Sequence, residues 1–406
     1  MKNAFKKIMS FTVAAALTVG AVFSLASCKK NDSETIKIGV SAPLTGGAAQ
    51  YGIAVRNSAQ LAIDEINAIT MNDGELGLKF ELLAYNDEHK KENVTTTYSS
   101  MYEKGMHMSL GTVTTAPGLE FKEMSNDDNV FVLTPSATGD AIVEDYDNAY
   151  QMCFSDNNQG TASAKFFNEN YQGKKIGVFY KSDDEYSTGI YEKFMAALDD
   201  SFKNAGVTAA AFSGDGLVFD TQIDTLKGCD VIFLPIYSEP AAAFMKSGVG
   251  KIANSAVYYG CDGLDGIEAK FGTMDEFMAI PQEVSFLSHF NSSATSGPAY
   301  DFVQKYNAKY DEDKEPVNQF GAAAYDCVYA IYEALKFAKA KGEEFDYNTS
   351  SSDYCEILKA VFNNSDFVFH GVTGKCDGNN KSNISWTSDG FVNKEAVKYV
   401  VKESNK

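Results

Sequence analysis

From residue 35 onward the chain switches between two hydrophobic periods. Residues 35–40, Thr-Ile-Lys-Ile-Gly-Val, alternate as a strand does. Over residues 51–68, Ile53, Leu61, Ile63 and Ile66 recur at helical spacing. A second strand is predicted over 78–84 and a second helix over 90–104. After Cys153 the pattern resumes, with strands over 175–180, 207–212, 231–235 and 256–260. Helices over 189–204, 219–227 and 239–248 alternate with them. This βαβα order predicts an α/β fold of parallel sheets covered by helices on both faces, and the two series predict two doubly wound lobes. Beyond Pro281 the texture changes. A helix over 299–310 and a longer one over 319–339 lie among polar loops (291–298, 311–316, 342–352). The tail from Ile384 carries two short strands, the last over 396–401.

The amino terminus belongs to no such pattern. Lys2, Lys6 and Lys7 precede an apolar run over residues 8–25, which ends in Leu25-Ala26-Ser27-Cys28. A basic start, an apolar stretch and small residues before a cut mark an export signal. The same run read as an uncleaved anchor is Ala-rich and barely long enough to span a bilayer. The Leu-Ala-Ser-Cys ending resembles the lipobox of bacterial lipoproteins, which implies cleavage after Ser27 and a lipid on Cys28. Residues 28–34 then form a polar tether. Loss of the first 27 residues, which hold three lysines and no acid, leaves 379 residues and moves the net charge from −20 to −23. That length suits two domains. The charge disfavours nucleic acid and anionic lipid as partners. A 44% hydrophobic content excludes a disordered chain.

The chemistry concentrates between Leu110 and Thr138. Leu110-Gly111-Thr112-Val113-Thr114-Thr115-Ala116-Pro117 and Val130-Phe131-Val132-Leu133-Thr134-Pro135-Ser136-Ala137-Thr138 are apolar runs that each end in hydroxyl and small residues. At the carboxyl ends of parallel strands such groups either cap helices or hold a carboxylate or phosphate. Catalytic signatures are absent from the sequence. The four histidines, His89, His107, His289 and His370, show no metal-ligand spacing, and there is no nucleophile elbow, P-loop or dinucleotide fingerprint. Six cysteines follow Cys28 without a Cys-x-x-Cys pair, so neither zinc nor a defined disulfide pairing is indicated. The expectation is a binding protein rather than an enzyme, with no cofactor and no metal.

Residues 36–40 with Pro43-Leu44-Thr45-Gly46 and Ala49-Gln50-Tyr51-Gly52 resemble the opening of the leucine/isoleucine/valine-binding proteins. These are the type I periplasmic solute receptors of branched-chain amino-acid ABC importers. The residues 111–115, 134–138, Asn158-Gln159-Gly160, Tyr186-x-x-Gly189, Tyr237 and Gly260-x-Asp262-Gly263 match the same family, from Thr35 to the end of the chain.

The resemblance implies two lobes joined by three crossings of the chain, near Cys153, His289 and Gly390. Lobe one is then 35–153 with 290–390, and lobe two 154–289 with 391–406. It implies that Thr115 bonds the ligand carboxylate and that Ser136 and Thr138 serve the carboxylate and ammonium ends. Tyr51 lines the pocket, Tyr186 and Tyr237 meet the ligand on closure, and Asp262 pairs with its ammonium. Relatives often carry Glu at that last position, one methylene longer. Asn318 and Gln319 stand where relatives place an apolar contact to the ligand side chain. The function implied is capture of a zwitterionic amino acid, branched-chain or otherwise neutral, and delivery to a permease by a monomeric, exported lipoprotein on the outer face of the cytoplasmic membrane. A sensory receptor of the same fold, or an amide, urea-like or aromatic ligand, are the alternatives.

Overall fold

The computed structural model describes residues 34–70, 76–310, 316–374 and 382–404. The export signal, Cys28 and Cys376 lie outside the described residues.

Two sheets carry the fold. The first contains β1 (Thr35–Ala42), β2 (Lys79–Asn86), β3 (Met108–Thr112), β4 (Val132–Thr134) and β5 (Ala149–Gln151), all parallel, in the order β2-β1-β3-β4-β5. The second contains β6 (Ile176–Lys181), β7 (Thr208–Phe212), β8 (Val231–Leu234), β9 (Val257–Gly260), β10 (Glu283–Ser288) and β11 (Val397–Lys402). Its order is β11-β10-β9-β8-β6-β7, parallel except for β11. Each sheet therefore begins at an inner strand and winds both ways. The switch points lie between β1 and β3 and between β6 and β8, where α/β sheets place their ligands.

Strand period two divides the core. In β8, Val231 and Phe233 face one helical layer, while Ile232 and Leu234 face the other. In the first sheet, Ile36, Ile38 and Val40 of β1 pack with the helices Ala49–Thr70 and Gln319–Ala340. Leu83, Val132 and Ala149 turn to the opposite layer. Both predicted lobes thus have helices on each face.

Three passages join the sheets. The first leaves β5 at Gln151, the second leaves β10 at Ser288, and the third enters β11 from Gly390. They are bonded together: Gln151 N–H donates to the Gly390 carbonyl (2.9 Å), Lys394 Nζ to the Met152 carbonyl (2.6 Å) and Gly374 N–H to the His289 carbonyl (2.7 Å).

Several predicted elements differ in detail. The helix expected over 189–204 begins earlier and is two, Glu185–Ala197 and Asp200–Ala205, because Leu198 is extended (ψ 143°). Strand β10 and the helix Ser351–Phe362 went unpredicted. Of the two tail strands, the second is β11, while the first is reduced to bridges at Ile384 and Trp386.

Candidate functional site between the lobes

The carboxyl ends of the strands converge on one small cavity. Its walls include Tyr51, Val113, Thr114, Ser136, Thr138 and Phe320 from the first sheet's side, and Tyr186, Tyr237, Asp262 and Gly263 from the second. Six of the seven residues named from sequence line it. The seventh, Thr115, opens the helix Thr115–Asp127, and its hydroxyl is buried without a hydrogen-bond partner. Thr114, one position earlier, takes the place on the wall. It is the residue before the helix, yet its side chain makes no cap bond. The first turn therefore keeps its N–H groups and positive dipole end for an anion.

The second sheet's side of the cavity is anionic. Asp262 is fully buried at the end of β9. Its Oδ1 accepts the Tyr186 hydroxyl (2.7 Å), which accepts Gly263 N–H (2.9 Å), and Asp262 N–H donates to Gln159 Oε1 (3.0 Å). Burial raises this carboxyl to about 6, against the pull of the Tyr186 and Gln159 bonds. Among the described residues it forms no ion pair. A second acid, Asp156, lies behind Thr138, whose carbonyl accepts its N–H (2.8 Å). Burial pushes Asp156 well above the carboxylate range.

Much of the remaining wall is aromatic. Tyr186 stacks on Tyr237 at 4.7 Å, Tyr51 meets Phe320 edge-on at 5.0 Å, and Tyr51 and Tyr237 lie 5.8 Å apart. Phe320, rather than Asn318 or Gln319, presents an apolar side chain to the cavity. Asn318 caps the helix through Gly321 N–H, and Gln319 bonds His289 N–H and the Leu287 carbonyl at the second crossing. The helix phase decides this: one residue along turns the side chain by about 100°.

The two sides are bonded across the cleft. The Tyr51 hydroxyl donates to the Gly263 carbonyl (2.7 Å), accepts Ser238 N–H (3.0 Å) and lies 2.8 Å from the Ser238 hydroxyl. Gln50 Nε2 reaches Ser238 Oγ (2.9 Å) and the Asp265 carbonyl (3.0 Å), while Gln319 N–H donates to Asp265 Oδ2 (2.8 Å). Sequence reasoning missed Val113, Thr114, Ser238 and Phe320. Each adjoins a residue it did name: Val113 and Thr114 precede Thr115, Ser238 follows Tyr237 and Phe320 follows Gln319. A larger cavity of about 730 Å³ beside Tyr325, Tyr329 and Phe369 belongs to one lobe and meets no strand end of either switch point.

Parallel lobes of this topology with a buried cavity between their strand ends are the architecture of a two-lobe solute-binding protein. The chain belongs to the periplasmic binding protein family, whose description matches residues 35–348. That family is one of extracytoplasmic solute receptors, not of enzymes. The chain is similar to the Leu/Ile/Val-binding protein BraC3 of Rhizobium johnstonii, 26% identical over 379 residues, covering 93% of this chain and 98% of the relative. Among solved structures it is similar to the leucine-binding protein LivK of Thermotoga maritima (TM-score 0.73, 23% identity, 91% of this chain and 96% of that one). It also resembles LivJ of Streptococcus pneumoniae in complex with isoleucine (TM-score 0.70, 25% identity, 90% and 100%). A solute-binding protein of R. palustris in complex with benzoate shares the fold as well (TM-score 0.68, 17% identity, 91% and 98%).

Proposed function

We propose that the protein captures a neutral, branched-chain-type amino acid between its lobes and passes it to the membrane subunits of an ABC importer. The observation that carries this reading is Asp262, a carboxylate buried in the wall of the interlobe cavity and without a cation among the described residues. A zwitterion leaving water needs a fixed anion for its ammonium and N–H or hydroxyl donors for its carboxylate. Asp262, with Tyr186 holding its Oδ1, supplies the first. Thr115, Ser136, Thr138 and the open first turn at Thr115 supply the second. Tyr51, Tyr237 and Phe320 enclose an apolar side chain. The names of the relatives, Leu/Ile/Val-binding proteins, agree with this ligand class. A benzoate-type ligand brings a carboxylate but no cation, so Asp262 remains uncompensated and opposes it.

The lobe boundaries we propose are 35–153 with 290–390 and 154–289 with 391–406, which places the three passages at the hinge. The remaining parts of the proposal are a signal ending at Ser27 and a lipid on Cys28 that keeps a monomeric receptor beside its permease. For these, Cys28→Ser should accumulate as unprocessed precursor, while wild type is processed and partitions into detergent. A normally processed serine variant in the detergent phase overturns the anchor.

The ligand test is a thermal-shift screen of purified residues 29–406 against amino acids, amides and aromatic carboxylates. A ligand at 100 times its dissociation constant stabilises by about 2.7 kcal/mol. Stabilisation by leucine, isoleucine or valine supports the proposal, and stabilisation by benzoates or amides alone refutes it. A sensory receptor with the same pocket gives the same screen. It differs in supporting no uptake when expressed with an ABC permease.

A further inference from the structure

The interlobe cavity is small, about 10 Å³. On the far side of Tyr237 lies a second pocket of about 320 Å³, also between the lobes, with Ala48, Lys181, Asp184 and Glu239 in its wall. Tyr237 lines both. The other partition is His89, which lines the outer pocket and turns its ring edge-on to Tyr237 at 5.1 Å. Its Nδ1 bonds the Thr114 hydroxyl at 2.9 Å, and Thr114 lines the inner cavity. His89 thus touches one inner-wall residue from each lobe and has the outer pocket behind it.

The backbone that holds His89 is strained. Glu88 and His89 are consecutive non-glycine residues in the left-handed region, with φ of 57° and 60°. Strain of this kind persists only where the surroundings over-determine it. Here Asp87 Oδ1 accepts His89 N–H (2.9 Å), Asn86 Oδ1 accepts Glu88 N–H (3.1 Å), and Asp87 Oδ2 is held by the Ser41 hydroxyl (3.0 Å). A turn fixed this firmly is suited to placing one ring at one point.

We propose that His89 is a specificity-determining residue: its imidazole closes the side-chain end of the ligand cavity and excludes amino acids with side chains longer than the branched aliphatic ones. The inference rests on the amino-acid reading above and deepens it. The ligand's ammonium is directed to Asp262, so its side chain runs along Tyr51, Phe320 and Tyr237 toward the His89–Tyr237 contact. With His89 present the side chain stops there. Without it the inner cavity opens into the outer pocket, and a phenyl ring takes the imidazole's place against Tyr237. Burial lowers the proton affinity of His89, and the Lys181 ammonium adds to the effect, which keeps the ring neutral as an apolar stopper requires.

The test is the ratio of phenylalanine to valine affinity, measured by calorimetry on the full mature chain. His89→Gly removes the wall and relaxes the left-handed backbone. His89→Asn also tolerates that backbone, is shorter, and serves if the glycine variant does not fold. One methylene changes discrimination in an apolar pocket by about 10–200-fold. Either variant should therefore shift the ratio toward phenylalanine by about tenfold or more, and His89→Gln should restore much of the exclusion. A general loosening of the fold weakens both ligands and leaves the ratio alone. A folded variant that binds valine with a ratio within twofold of wild type overturns the inference while leaving the function intact. A wild type that binds no amino acid overturns both.

Discussion

Asp262 shows how a single residue is tuned for its task. Its carboxyl stands near 6 because burial raises it, and the bonds from Tyr186 and Gln159 offset only part of the rise. A ligand ammonium favours the charged form, so binding at pH 5 must first remove a proton. Affinity should be full above pH 6 and fall by up to about tenfold for each pH unit below it. Calorimetry in buffers of different ionisation enthalpy should register the released proton. In Asp262→Asn the acid-side loss should disappear. Affinity at pH 7.5 should drop by a factor equivalent to about 2–5 kcal/mol, the usual cost of breaking a buried charge pair. Without ligand the sign reverses. The raised native value means that any stability from this group is present below the unfolded pKa and lost as pH rises through about 6. The ligand-free Asn variant should then gain on wild type between pH 5 and pH 7.5. Binding of leucine by the Asn variant at wild-type strength reduces Asp262 to a turn residue.

At the scale of elements, close packing rather than propensity decides the first lobe. The helices Ala49–Thr70 and Gln319–Ala340 lie about 250 residues apart in sequence, yet share one core around β1. At Gly321 the two helices come close together. A Cβ there would lie 2.7 Å from the Ser58 hydroxyl oxygen and 3.0 Å from the Ala54 carbonyl oxygen, and backbone cannot give way as a flexible side chain does. Gly321→Val should destabilise the protein by about 1–3 kcal/mol through overpacking. Because Phe320 is the preceding residue, ligand affinity should fall with it. Urea unfolding with and without ligand separates the two effects. Unchanged unfolding in the valine variant contradicts the close contact.

At the scale of the whole molecule, polar groups bond the two lobes across the cleft. Tyr51 is the central one, since its hydroxyl engages Gly263 and Ser238 of the other lobe. Tyr51→Phe keeps the ring against Phe320 but leaves the Gly263 carbonyl and Ser238 N–H without that partner when the lobes meet. An unsatisfied buried group costs about 1–3 kcal/mol, so affinity should fall by about five- to 150-fold. Small-angle scattering should show wild type contracting when saturated with ligand, and Tyr51→Phe needing more ligand for the same contraction. Equal ligand dependence in the two proteins argues that Tyr51 does not contribute to closure.

Local patterns carry what the sequence determined by itself. The alternation of residues 35–40, the helical spacing of Ile53, Leu61, Ile63 and Ile66, and the hydroxyl clusters after two strands each reflect a period or a strand end, which neighbouring residues suffice to set. They gave the two α/β lobes, and with the family motifs they brought Tyr51, Ser136, Thr138, Tyr186, Tyr237 and Asp262 to one cavity. Strand β10 is hard to read because Glu283-Val284-Ser285-Phe286 alternate for only four residues before Leu287, which serves the other layer, breaks the period. Tertiary structure alone decided the contacts between distant segments. Ser238 matters because Tyr51 reaches it from 187 residues away, and His89 because a strained turn presses it between Thr114 and Tyr237. No period or local spacing encodes such meetings. They arise only when two independently wound sheets bring their strand ends together, and the burial that follows is what raises Asp262 to about 6.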